Sequence, residues 1–546
     1  MHREVIKANI IVFIASFCTL VIELVAGRIM APYVGVSLYT WTSIIGVVLA
    51  GISIGAYLGG LVADRYPRPV TLGWLLFLSG LGAFSISPLT NLLGGAYFQT
   101  SLMIRILLIT TFIFFIPSCI LGMISPVVVK LTLNNLQKTG NIVGKIYAFS
   151  TLGSILGTFA TGFFLISWMG TRQILFSIGI ILILTALIFG GFWGKKKVLA
   201  LFLFFLFLVI ILPLVAWYGY AAAHPEKVAV SYSPLHSLKT LYGYAFKPQL
   251  DEETYFFKES NYYTIKLKRS KTRIKGGPLE SLVLDHLIHS YTDLNDPLYL
   301  EYEYIRMYEE VVRWQADKRK SFKTLSIGGG GYTFPRLLEA KYPDAQVTVV
   351  EIDPEITRVV QTYLGVPRNT NIRSFNEDGR WFVMNNRESG SFDFIFGDAF
   401  NDLSIPYHLT TKEFAAHLKR LLKPNGLLLA NVIDSFKKGA FMPAYIRTLE
   451  EVFGKGNVHL LTLTSDDDRI GISTFVVVAS PQRLDMEDFV RTIRKEAGEE
   501  MTSHVMPPDR LQQYLRDRHP VLLRDDYVPV DNLIAPIFEE RFGYRG

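Results

Sequence analysis

The sequence predicts two unlike halves: an N-terminal all-α, multi-span membrane domain and a C-terminal α/β domain with a small β-rich subdomain before its sheet. Three observations predict this. Apolar stretches of roughly 20 residues, enough to cross a bilayer, recur through the first 222 residues and then stop. Residues 1–222 hold 13 Lys+Arg and only three acids (Glu4, Glu23, Asp64), which leaves 42 basic and 45 acidic residues for 223–546. The formal net charge of +7 therefore divides into +10 and −3. From residue 320 onward, short β-rich runs alternate with helical patterns, as in a parallel sheet with crossover helices. The expected boundaries are 1–222 for the membrane domain, 223–318 for the β-rich subdomain and 319–546 for the α/β domain.

Seven apolar stretches are placed near 9–30, 41–63, 70–92, 103–127, 147–168, 173–194 and 198–219. The first is too long and too poorly flanked for a cleaved signal peptide, and others follow at once. Small residues recur in "GVVLAGISIGAYLGG" (46–60) and "STLGSILGTFATG" (150–162). Such spacing lets helix backbones pack closely in lipid, a plainer reading than a transport pathway. Glu23 and Arg28 fall late in the first stretch, where charge is costly unless paired or turned to a polar cavity. A structural pair and a substrate-facing role both remain open for them.

The acidic balance of the polar half argues against a nucleic-acid surface, which would need a basic stripe. Two cysteines, Cys18 and Cys119, both inside apolar runs, exclude a disulfide framework or a thiolate metal site by count. No metal centre is expected.

In the polar half "TLSIGGGG" (324–331) reads as a buried strand entering a glycine turn. "TFPRLLEAKY" (333–342) opens a helix with Pro335 in its first turn. "VTVVEID" (347–353) is a second strand ending in acid, and "PEITRVVQTYLG" (354–365) a second helix. "FDFIFGDAF" (392–400) is a strand with an aspartate at its end. "LTTKEFAAHLKRLLKPNG" (409–426) reads as a capped helix closed by Pro-Asn-Gly, and "LLLANVID" (427–434) continues the sheet.

Ligands of such sheets bind beyond the carboxyl ends of the strands. Gly328, Gly329 and Gly330 permit close backbone approach, and Glu351, 21 residues after Gly330, stands where an acid receives ribose hydroxyls. The loop is not G-x-G-x-x-G, because Tyr332 and Thr333 follow the glycines, and it lacks the Lys-Ser/Thr of a P-loop. A pyrophosphate is therefore unsupported. An adenosine with a sulfonium tail fits the pattern, although Glu351 as a solvated strand end fits it too.

Several segments, in order over about 255–435, resemble the spermidine/spermine synthase (polyamine aminopropyltransferase) family, and more narrowly its membrane-fused branch. "KESNYYTIKL" (258–267) and "LESLVLDHLIHSY" (279–291) resemble the family's β-rich subdomain, and "NDPLYLE" (295–301) its segment ending in Tyr-x-Glu. "SIGGGGYTFPR" resembles its glycine loop, "VVEID" its ribose-binding acid, "NEDGRWF" (376–382) its adenine-side Asp-Gly and "FIFGDAF" its catalytic strand end. "LTTKEF" and "DDYVPVDNL" (525–533) look particular to the fused branch. The resemblance implies a Rossmann-like, class I methyltransferase-type fold. It also implies that decarboxylated S-adenosylmethionine donates an aminopropyl group to a polyamine and releases methylthioadenosine, with no permanently bound cofactor. Carried over by position, Asp398 is the base or cation-orienting carboxylate and Tyr299 helps place the amine. Gly328, Gly329 and Gly330 line the donor tail, Glu351 and Asp353 belong to the ribose-side strand end, and Asp378 and Gly379 meet the adenine. His289 and Glu301 complete the set. Domains of this family often pair, so a homodimer is expected beside a lipid bilayer and small-molecule substrates as partners.

The departures are specific. The family loop usually reads Gly-Gly-Gly-Asp-Gly, its aspartate binding the donor amine, whereas Gly331 stands there. Asn401 replaces a second family aspartate, with Asp402 next to it. His289 replaces a glutamine, and Asn295-Asp296 an Asp-Glu. The acceptor side has lost negative charge, which weakens a charge-assisted hold on a polycation. Three functions stay open. One is polyamine synthesis with a rearranged acid set drawn from Asp402, Glu301 or Asp296. The second is acceptor-free, cyclising cleavage of S-adenosylmethionine to methylthioadenosine and a lactone, aided by intramolecular proximity. The third is a sensor or transporter that only binds the nucleoside. A methyltransferase shares the sheet pattern, but the segment from Tyr299 to Glu301 and the β-rich run count against it.

Loop charges and chemistry disagree about sidedness. With the N-terminus inside, the inner loops carry ten basic residues (Arg3, Lys7, Arg65, Arg68, Lys130, Lys138, Lys145 and Lys195 to Lys197). The outer segments carry only Arg28, Arg105 and Arg172. Seven spans then put the polar half outside the inner membrane, whereas sulfonium nucleosides and polyamines are made in the cytoplasm. A reporter fused to the C-terminus decides the count: activity only outside requires an odd number of spans, activity only inside an even one.

Overall fold

The computed structural model describes residues 2–35, 37–94, 102–133, 139–192, 250–269, 278–316, 321–399, 405–465 and 471–542, with 199 and 203. Contacts divide the chain into two compact units, one ending at Asp251 and the other starting at Glu252.

In the first unit six helices are long and apolar enough to cross a bilayer: Glu4–Val34, Leu38–Arg65, Pro69–Leu93, Met103–Thr132, Thr139–Trp168 and Thr171–Phe189. They fall on the first six expected stretches. The seventh, 198–219, lies outside the described residues, so the parity of the count turns on it. Helix α1 is His2–Val34. Helix α2 (Leu38–Arg65) is capped by the Ser37 side chain, which accepts from the Thr40 N–H, and α3 (Pro69–Leu93) starts with proline at its first position. The fourth path breaks at Met123 between α4 (Leu102–Gly122) and α5 (Ile124–Thr132). Helix α6 (Thr139–Ala160) runs through a π turn at Thr161–Leu165 to Trp168, and α7 is Thr171–Phe189.

The small residues act through close backbone approach. A Cβ on Gly55 of α2 would lie 2.0 Å from the Cys119 carbonyl oxygen of α4, and one on Gly153 of α6 would lie 2.2 Å from that of Phe13 on α1. Arg172 is buried, and its guanidinium donates to Ser87 Oγ at 2.7 Å and to the Tyr33 hydroxyl at 3.4 Å. A cation among apolar helices is tolerated when it is bonded in this way.

The second unit begins with an antiparallel meander: β1 (Thr254–Glu259), β2 (Thr264–Arg269), β3 (Glu280–Leu284) and β4 (Leu287–Thr292). Helix α8 (Glu303–Ala316) follows. Strand β5 (Lys323–Ile327), α9 (Thr333–Lys341), β6 (Gln346–Val350), α10 (Pro354–Tyr363) and β7 (Arg373–Phe375) form one wing of the main sheet. After α11 (Gly379–Asn385) the chain returns to the other side of β5 with β8 (Phe392–Gly397), α12 (Lys412–Leu421) and β9 (Leu422–Ser435). Helix α13 (Phe441–Phe453) leads to β10 (Val458–Thr462), β11 (Ile472–Ala479) and β12 (His504–Val505). The order is β12-β10-β11-β9-β8-β5-β6-β7, parallel from β7 to β9 and antiparallel beyond. This is the Rossmann-like, methyltransferase-type architecture, and strand order reverses beside β5, where a ligand crevice opens.

Two expectations need correction. The sheet is mixed, because β11 runs back along β9 from Ile472 opposite Ser435 to Ala479 opposite Leu428. Pro-Asn-Gly does not close a helix either: α12 stops at Leu421, and residues 423–426 form a bulge in β9. Phe392 pairs with Leu422 but Phe394 with Leu427. Pro424 has no N–H for either a helix or a ladder, so the chain buckles there before pairing resumes.

The core of this unit pins α8 to the sheet. The Phe334 and Phe396 rings are 4.9 Å apart, and Tyr308 of α8 packs 5.2 Å from Phe396. The first turns of α8 are thereby held over the carboxyl end of β8.

In the first unit, Gly55→Val forces a side chain into the Cys119 backbone. Overpacking of this kind costs about 1–3 kcal/mol. We expect a clear loss of thermal stability in detergent, while Gly60→Val, with nothing within 4 Å of its Cβ, leaves the melting temperature unchanged.

Candidate active site

Four strand-end segments build the site. At the end of β5, Gly328 takes φ +94° and donates its N–H to the Val350 carbonyl at 2.9 Å. A Cβ there would sit 2.3 Å from the Asp398 carbonyl oxygen, so only glycine lets the turn lie against the end of β8. Gly330 also has positive φ, +47°, and open space where a side chain would stand. The turn is anchored by Tyr332, which is buried and left-handed (φ +55°), with its hydroxyl 3.2 Å from Ser374 Oγ.

Glu351, just past β6, accepts from the Gly329 N–H at 2.8 Å and the Asp353 N–H at 3.0 Å. Burial raises its pKa, and these backbone bonds oppose the rise. Asp353 is itself buried and caps α10, accepting from the Glu355 N–H at 2.9 Å. It is a helix cap, outside the cleft lining.

Asp398 follows β8, and its N–H donates to the Ile327 carbonyl at 2.9 Å. One carboxylate oxygen accepts from Asn431 Nδ2 on β9 at 2.7 Å, and the other from the Tyr304 hydroxyl on α8 at 2.9 Å. Burial pushes the carboxyl up to about 6, against the pull of the Asn431 and Tyr304 bonds. Tyr304 stays a neutral donor, because burial and the neighbouring Asp398 drive its pKa far above the usual range.

Asp378 caps α11 and accepts from the Trp381 N–H at 2.9 Å. Its other oxygen lies 2.9 Å from His408 Nε2. Burial works to raise its pKa, but the Trp381 and His408 bonds win and hold it below the ordinary value. Gly379 is packed so closely that a Cβ would meet Ile327 Cγ2 at 2.6 Å.

These residues line two hollows that share part of their walls. One, of about 150 Å³, is lined by Tyr262, Tyr263, Glu351, Asp378, Gly379 and His408. The other, of about 30 Å³, lies behind the glycine turn against Ser290, Tyr304, Ser326 and Gly331. His289, Gly328, Gly330 and Asp398 line both and so mark the junction. A larger open groove of about 1190 Å³, against Arg483, Asp485 and Arg491, shares no lining residue with either hollow.

Two expected residues lie elsewhere. The Tyr299 hydroxyl donates to Glu301 Oε2, and neither residue lines the two hollows. The tyrosine against Asp398 is Tyr304. Residue 299 lies in the turn before α8, whereas Tyr304 and Tyr308, four apart, share the helix face turned to β8. Asp296 accepts from the Leu298 N–H in that same turn, and Asn401 and Asp402 lie outside the described residues. Tyr304, Asn431 and His408 were missed. A weak signal existed only for Asn431, a lone amide in the otherwise apolar run "LLLANV".

Comparison with known proteins finds likeness in the same part of the chain. A family model described as the spermine/spermidine synthase domain matches residues 307–464. The polyamine aminopropyltransferase of Vibrio vulnificus is 36% identical over 119 residues, which are 22% of this chain and 40% of that protein. That of Chromobacterium violaceum is 34% identical over 179 residues, 32% of this chain and 66% of its own. The match thus spans less than half of the first relative and 66% of the second. Polyamine aminopropyltransferase 2 of Aquifex aeolicus is 23% identical over 497 residues, 88% of each chain. Residues 307–464 match a spermine/spermidine synthase domain, and in that part the chain is similar to polyamine aminopropyltransferases.

Proposed function

We propose that the protein is a membrane-anchored, spermidine-synthase-like transferase that cleaves the sulfonium C–S bond of S-adenosylmethionine or its decarboxylated form. The observation that carries this reading is Asp398, fixed by Tyr304 and Asn431 at the junction of the two hollows. In this reading the larger hollow takes the adenosine, with Glu351 toward the ribose and Asp378 and Gly379 toward the adenine. The donor tail runs past Gly328 into the smaller one. An acceptor amine attacks the carbon next to sulfur, the C–S bond breaks, and its electron pair leaves on sulfur as the neutral thioether methylthioadenosine. The new C–N bond leaves a proton on nitrogen, which Asp398 takes. No acid is needed for the leaving group. Glu351, Asp378 and Asp398 favour cationic substrates in a partly desolvated site.

A second reading is favoured by Gly331, which puts no carboxylate at the tail end. There the substrate's own carboxylate attacks the same carbon, the same C–S bond breaks, and a lactone leaves with methylthioadenosine. In both readings the six apolar helices of the first unit anchor the enzyme as a multi-pass inner-membrane protein.

Purified protein given either donor, with and without putrescine, should release methylthioadenosine detected by mass spectrometry. Release that needs no amine favours cyclisation, and no release from either donor leaves only a binding module. Asp398→Asn should lower kcat by roughly 10²- to 10⁴-fold while methylthioadenosine still binds. The base works only when ionised, so kcat/KM should fall as pH drops through about 6. Tyr304→Phe removes a bond that favours the ionised carboxylate. Its acidic limb should therefore move to higher pH and kcat should fall with KM little changed, a split that a merely structural role would not produce.

A further inference from the structure

The C-terminal segment "DDYVPVDNL" (525–533) reaches back to the wall of the larger hollow through a single guanidinium. Arg380, two residues after Asp378, sets its two terminal nitrogens on the two carboxylate oxygens of Asp525, 145 residues away, at 2.7 and 2.5 Å. The same Nη1 donates to the His408 carbonyl at 2.8 Å and to Thr411 Oγ1 at 3.2 Å. The His408 ring then returns to Asp378, with Nε2 2.9 Å from Oδ2. A closed ring of contacts thus runs from Asp378 along the chain to Arg380, across to His408 and back.

Asp525 is fixed by its own surroundings. Its N–H donates to Glu413 Oε2 at 3.0 Å. Nearby Leu523 accepts from the Lys412 N–H at 2.9 Å and donates its own N–H to Thr448 Oγ1 at 3.0 Å. Arg524 and Tyr527 exchange backbone bonds of 3.0 Å, which close the turn that carries Asp525. The segment is thereby stitched to α13 and to the first turn of α12. That turn follows at once on the run holding Pro406, His408 and Leu409, which line the larger hollow.

Neither Arg380 nor Asp525 lines either hollow, so the pair acts on a ligand only through what it holds. The Asp525 side chain is 45% exposed, and ion pairs in such positions add little to stability. A bidentate fork does, however, fix the plane of the guanidinium. That plane sets the His408 backbone, and the imidazole holds one oxygen of Asp378 while the Trp381 N–H holds the other. A carboxylate gripped at both oxygens presents its remaining lone pairs in a fixed direction.

We propose that Asp525 and Arg380 are positioning residues for recognition of the nucleoside base. The C-terminal segment holds the backbone of His408, and His408 keeps Asp378 aligned to accept from an exocyclic amino group. The proposal rests on the reading of the larger hollow as the nucleoside cleft, with Asp378 toward the adenine. The test measures equilibrium binding of methylthioadenosine, and of its analogue with purine in place of adenine, to the full-length protein in detergent. The analogue has lost the 6-amino donor and gained none. The wild type should prefer methylthioadenosine by about tenfold, as a hydrogen bond to a charged group allows. Asp525→Asn should cut that preference to about twofold by weakening methylthioadenosine alone. Asp525→Glu, which keeps the carboxylate, should restore most of it. Arg380→Lys keeps the charge but loses the fork, and should behave like Asp525→Asn. In a His408→Ala background Asp525→Asn should have no further effect, because both act in one chain of contacts. A merely structural role would lower the melting temperature and weaken both nucleosides alike, and that result overturns the proposal. So does an unchanged preference in Asp525→Asn, a further loss in the double variant, or a wild type that binds both nucleosides equally. Failure of methylthioadenosine to bind the wild type sinks the nucleoside cleft instead, and the proposal falls with it.

Discussion

The site depends on one contact between two pieces of backbone, that of Gly328 against that of Asp398. Any Cβ at 328 would come within 2.3 Å of the Asp398 carbonyl. The missing side chain therefore lets the end of β5 lie beside the end of β8. The Asp398 N–H to the Ile327 carbonyl and the Gly328 N–H to the Val350 carbonyl then tie three strand ends together. Asp398, Glu351 and the glycine turn face one crevice because of that packing. Without it they would be three loops at the edge of a sheet.

The acids gathered there are not equivalent. Asp353 has a carboxylate oxygen in a helix cap, and Glu351 receives two backbone N–H groups that fix its orientation. Asp378 is shared between a helix N-terminus and His408. Asp398 has neutral side-chain donors on both oxygens and no cation bonded to it among the described residues. Burial therefore acts on it with least opposition, and its carboxyl rises to about 6. A carboxylate held in place but weakly stabilised is suited to accepting a proton, whereas one locked by backbone donors is suited to holding a ligand's hydroxyls. One fold thus gives its strand-end acids different protonation behaviour through the partners each one meets.

The smaller hollow is shaped by a second element, one outside the main sheet. Ser290 comes from the antiparallel meander, not from the main sheet, and it reaches into the volume beside Gly331. The β-rich subdomain therefore shapes the smaller hollow directly. Ser290 and Gly331 line the smaller hollow and not the larger one, whereas His289, Gly328, Gly330 and Asp398 line both.

Local pattern was enough for much of this protein. Hydropathy located the six described helices that are long and apolar enough to cross a bilayer, because such a segment must be apolar along its whole length. Alternating strand and helix patterns placed β5, β6, β8 and α10, and the strand-end position of Glu351, Asp378 and Asp398 in the motifs brought them to one crevice. Other features were not legible. The antiparallel return of β11 along β9, the bulge at Pro424 and the choice of Tyr304 over Tyr299 are all set by partners distant in the chain. Tyr304 meets Asp398 across 94 residues, and Asn431 meets it across 33. Sequence by itself determined which residues carry charge, which must bend and which must be buried, since those are properties of each residue and its near neighbours. Only the tertiary structure decided which tyrosine faces the carboxylate and what fills the space at Gly331, because those outcomes depend on which surfaces touch once the sheet is packed.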